Sequence, residues 1–120
     1  MSIATDIQEV ETNMENLKKA IRRADLLKKL EDTTEWKELI KEGYLRDEAA
    51  RVVKLTGDIQ MRMAGDVQMN WLKDMLTGIG AFDQYLNFIS QAGNAAKAQM
   101  EANQETHAEL LKEQMEEGIQ

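Results

Sequence analysis

The chain has no cysteine and no proline, and only one histidine, two serines and six aromatic residues in 120. Without cysteine there is no disulfide, no thiolate nucleophile and no zinc–thiolate centre, and a reducing compartment fits. Without proline nothing interrupts a periodic run, and few β-branched or aromatic residues are available to build strands. A single histidine and the serines Ser2 and Ser90, neither in a nucleophile-elbow sequence, leave nothing from which to assemble a nucleophile and its base. Basic charge is also short. A formal charge of −7 and a pI near 4.8 weigh against tracking a phosphate backbone, so nucleic acid is not the expected partner. No apolar run approaches the roughly 18 residues of a membrane span, and the acidic N-terminus lacks a signal-peptide layout. The expectation is a soluble protein with no membrane contact, cytosolic where it is made.

The pattern that is present is helical. From residue 72 to 110 the positions Leu72, Met75, Ile79, Phe82, Leu86, Ile89, Gly93, Ala96, Met100, Asn103, His107 and Leu110 step by three and four, the period of a helix lying along a partner. Ile3, Ile7, Val10, Met14, Leu17, Ile21 and Ala24 repeat the pattern near the start. Two such helices joined by a short head return alongside each other as an antiparallel pair. The expected fold is therefore all-α, a long antiparallel coiled-coil hairpin with a short helical-hairpin head, in a single domain. Its parts are a first coil helix over 3–31, the head over 33–57, a loop or single helical turn over 58–65, and a long coil helix over 66–117.

Within the head, Asp32, Thr33 and Thr34 are candidate N-caps. Gly43 is read as a helix stop with positive φ, clasped by Tyr44 folding back on Leu39, and a second short helix then ends at Gly57. Trp36, Leu39, Ile40, Tyr44 and Leu45 are expected to cover Trp71, Leu72, Met75, Leu76 and Ile79. Asp66 is placed to cap the long helix, and Gly78 to Gly80 to bend or break it. The register sets Gly93 opposite Leu17 and Ile21, where a small residue lets backbones approach, and sets Asn103 and His107 near Val10 and Ile7.

The search for chemistry yields no catalytic, cofactor-binding or metal-binding residue. His107 has Gln104 three residues before it and no second histidine to share a metal, so it reads as a seam residue. Gly78-Ile79-Gly80 lacks the Lys-Ser/Thr of a phosphate loop. Two surfaces remain. Lys18, Lys19, Arg22, Arg23, Lys28 and Lys29 form a basic patch suited to an acidic protein or to the chain's own acidic tip, a contact that salt should weaken. Ala81, Tyr85, Phe88, Ala92 and Ala95 fall at helical spacing outside the seam, in a region without charge from residue 84 to 96. One partner helix cannot bury two faces. Either the rest of the chain wraps further or another copy docks there, and the reading taken is a protein interface in a homo-oligomer.

The segment WKELIKEGYLRDEAARVVKL over 36–55, with IGAFDQYLNFI over 79–89, resembles small coiled-coil proteins of tailed bacteriophages of the kind encoded among particle-assembly genes. In that group an aromatic-containing helix, a Gly-Tyr turn, an acidic-Ala-Arg helix and an Ile-Gly-aromatic-Tyr-Leu segment recur between charged coils. The likeness spans roughly residues 14–110, and it departs over 58–65, which is Met-rich here where the family is acidic and proline-containing. It implies a non-enzymatic structural or assembly protein acting through helix-mediated contacts with phage or host proteins, in the host cytoplasm or the virion. The alternative is an acidic helical phage inhibitor that binds a host protein. The resemblance carries no catalytic residue and no cofactor.

Overall fold

A computed structural model describes residues 2–119, and every element among them is helical. They are α1 (Ile3–Glu31), a π-helix (Trp36–Glu48), α2 (Ala49–Thr56), α3 (Ile59–Met63) and α4 (Asp66–Ile119). The all-α class is as expected. The chain divides into two compact units, Met1–Leu27 with Ile89–Gln120, and Lys28–Phe88, where the sequence was read as one domain.

In the first unit α1 opens on Ser2, whose hydroxyl accepts from the Thr5 N–H at 3.1 Å and so satisfies one of the helix's free donors. Its seam side chains are buried or half-buried from Ile3 to Ala24, and those of α4 from Ile89 to Leu110 match them. Leu17 packs with Ala96 and Met100, flanked by Met14, Ala20 and Ile21. Gly93 lies against Ala20 and Ala24, Asp25 approaches Lys97 at 3.6 Å, and Glu11 meets His107 at 3.0 Å. Positions rise on one helix as they fall on the other, so the two run antiparallel. The expected register is corrected by about one turn, because Gly93 faces Ala20 and Ala24 rather than Leu17 and Ile21. Small residues on both sides allow that closer approach. Burying a side chain such as Leu17 contributes about 1.5–3 kcal/mol.

In the second unit the helical hairpin expected over 36–55 is replaced by one run of helix. Glu48 (φ −64°, ψ −43°) and Ala49 (φ −58°, ψ −45°) pass directly from the π-helix into α2. Gly43 is therefore no stop. It sits inside the π-helix without positive φ, and a Cβ there would lie 3.0 Å from the carbonyl oxygen of Glu38, five residues back. Hydrogen bonds that reach five residues widen the turn beyond 3.6 residues. The half-buried apolar side chains follow that wider turn, with Trp36, Ile40, Leu45 and Ala49 spaced four, five and four apart. Thr33 joins this helix to α1: its hydroxyl donates to the Leu30 carbonyl at 2.7 Å and accepts from the Trp36 N–H at 3.1 Å. The candidate N-cap is thus Thr33, at once the end of one helix and the start of the next.

α2 ends at Gly57, as expected, although φ there is −92°. Residues 58–65 contain α3, capped by the Asp58 carboxylate accepting from the Met61 N–H at 3.1 Å. The positive φ expected at Gly43 belongs to Gly65, at 108°, and α4 begins at the next residue, so Asp66 lies in the first turn and the backbone carbonyl of Gly65 accepts from Met69. α4 continues through Gly78 and Gly80 without a break. Val52 and Leu72 are fully buried and Ile79 nearly so, while the Trp36 and Tyr44 rings pack on Phe82 with centroids 6.5 and 5.9 Å away. Leu39 and Trp71, expected to be part of the covered contact, are instead exposed. The wider turn carries Leu39 away from the side that Trp36 and Ile40 share.

Candidate interaction surface

A helix whose apolar residues step by three and four buries one stripe, and α4 has two such stripes in its sequence. Within the second unit the inner one is Leu72, Met75, Ile79, Phe82 and Leu86, each buried or half-buried. The outer one is displaced by a single residue: Val67, Trp71, Asp74, Gly78, Ala81, Tyr85 and Phe88. All seven are exposed, and the four large apolar ones strongly so: Val67 79%, Trp71 57%, Tyr85 56% and Phe88 65%. A large exposed apolar side chain is common singly, but four on one helical line form a contiguous patch.

The predicted interface residues Ala81, Tyr85 and Phe88 lie on this stripe, while Ala92, half-buried, and the exposed Ala95 belong to the first unit. Val67 and Trp71 extend it and were missed in the sequence. Their signal is the same stepping by three and four, hidden by Asp74 and by the assumption that the head covers Trp71.

The basic residues Lys18, Lys19, Arg22 and Arg23 are exposed in the first unit, and Lys28 and Lys29 in the second. Lys18 pairs with Glu15 one turn away at 3.1 Å. A groove in the first unit is lined by Gln8, Glu11, Thr12, Met14, Glu15, Lys18 and His107, and a bond of His107 with Glu11 crosses it between the helices. No three His, Cys, Asp or Glu side chains converge as metal ligands among the described residues. In the seam above Gly93, the buried Nδ2 of Asn103 has no hydrogen-bond partner. In the second unit the Arg51 guanidinium, by its hydrogen bond, holds the Glu48 carboxyl below the usual carboxylate range, and Asp47 raises Arg46 in the same way. These pairs lie in solvent, where such bonds add little stability. Among the described residues no helix is long and apolar enough to cross a membrane.

No family model, curated protein or solved structure matches the chain. What the surface can do is therefore read from its own chemistry. The outer stripe offers wide apolar contact, three aromatic rings and one carboxylate.

Proposed function

We propose that the protein is a non-enzymatic assembly protein that works by docking helices, first of all those of its own copies, and that it serves in the building of a bacteriophage particle. The observation that carries the docking reading is that Trp71, Tyr85 and Phe88, on one line of α4, are each more than half exposed, since large aromatic side chains are the anchors that dominate helix-mediated contacts. The phage setting rests on the resemblance of segments 36–55 and 79–89 alone, and the Gly-Tyr part of that likeness is here a piece of π-helix. Acidic helices that associate reversibly suit a scaffold-like factor, a chaperone or a minor particle component.

The setting is tested by counting the protein in purified virions and in infected cells through the infection. A fixed copy number per particle, or accumulation with the late structural proteins, is the expected result. Early expression with absence from particles and from assembly intermediates would contradict it.

A further inference from the structure

The outer stripe of α4 is self-complementary in one register, and we propose that a second copy of the chain docks on it antiparallel, with the two-fold axis between Gly78 and Ala81. The inference rests on the self-association reading above and fixes its geometry. Its starting point is Gly78. Nothing lies within 4 Å of the place where its Cβ would be, whereas the space at Gly93 is filled by Ala24. Glycine inside a helix costs about 1 kcal/mol relative to alanine, and among the described residues no contact uses the room it leaves. A second backbone crossing at Gly78 does use it.

The pairing that follows is compatible at every step. About that axis Gly78 faces Ala81 of the other copy, where two backbones come close. Asp74 faces Tyr85, and the phenol O–H donates to the carboxylate. Trp71 faces Phe88, ring against ring. An isologous contact needs each residue to meet its counterpart twice, and this stripe does. A parallel pairing would set Asp74 against Asp74 in a chain already at −7. The three rings, each more than half exposed, bring roughly 300–400 Å² per copy toward the ~800 Å² per partner of a standard interface.

Because the chain has no cysteine, one introduced thiol reports one contact. Asp74→Cys and Tyr85→Cys chains are mixed and oxidised. The expected product is the mixed disulfide dimer, with none from either variant alone, since like positions in the two copies lie about 16 Å apart along the helix and a disulfide needs Cα atoms within about 7 Å. Gly78→Leu, which fills open space in the single chain, should weaken association at least tenfold with helical content unchanged. Linkage of Asp74→Cys to itself, or of Tyr85→Cys to Ala95→Cys in place of the expected pair, would overturn this register while leaving self-association standing. A wild type that sediments as a monomer at tens of micromolar would overturn both.

Discussion

A Cβ on Gly93 would overlap that of Ala24, with the Ala20 carbonyl 3.5 Å away, so the two helices of the first unit meet there almost backbone to backbone. Gly93→Ala must push them apart, and overpacking of about 1–3 kcal/mol exceeds the gain of about 1 kcal/mol in helix propensity. The expected result is a lower urea midpoint, partly restored when Ala24→Gly is added; an unchanged midpoint would contradict the close approach. Gly78→Ala should do the reverse, raising the midpoint of the dilute single chain, because its Cβ enters open space. The role of Gly93 was legible in the sequence, since a small residue at a seam position has one evident use. Gly43 was not. The same residue type serves as a stop or as an interior residue where the turn is wide, and only the backbone of its neighbours decides which.

At the scale of elements, α1 and α4 were readable almost to their ends because a step of three and four over many turns has one simple explanation, an α-helix with a buried seam. The π-helix was hidden by the same rule. Its half-buried apolar side chains Trp36, Ile40 and Leu45, with Ala49 at the start of α2, are four, five and four apart, and a step of five reads as a break in an α-helical pattern and hence as a turn. The head therefore came out as two helices where there is one. Caps are only partly legible: the sequence offers Thr33 beside two equal candidates, Asp32 and Thr34, and places Asp58 in a stretch whose pattern fits a loop or single turn. Thr33→Ala removes both the acceptor for Trp36 and the donor to Leu30, and should cost about 1 kcal/mol or more in global unfolding. Asp58→Ala is expected to act locally. α3 is short and exposed, so faster amide exchange at Met61 with little change in melting temperature is the expected outcome, and slowed exchange would contradict the cap.

For the whole molecule the question is what covers the outer stripe of α4. The sequence marks Ala81, Tyr85, Phe88, Ala92 and Ala95 as an unshared face; in the folded chain Ala92 is half-buried and the other four are exposed. Val67 and Trp71 could not be added from sequence alone, because whether the head reaches Trp71 depends on the course of the π-helix. Salt separates the two surfaces. Copies of a chain at −7 repel one another, so docking through an apolar stripe should hold or tighten as ionic strength rises from 0.05 to 0.3 M, roughly where the screening length falls below 10 Å. Binding of an acidic partner through Lys18, Lys19, Arg22 and Arg23 should weaken over the same range.

The most direct test of the account is sedimentation of the wild type and Phe88→Glu at tens of micromolar, with circular dichroism of both. Phe88 is 65% exposed in the single chain, so a charge there leaves the fold intact but is not tolerated in a buried contact between copies. The account predicts an associated wild type, a variant shifted to monomer and equal helical content. A monomeric wild type, or a variant that loses helix along with association, would contradict it.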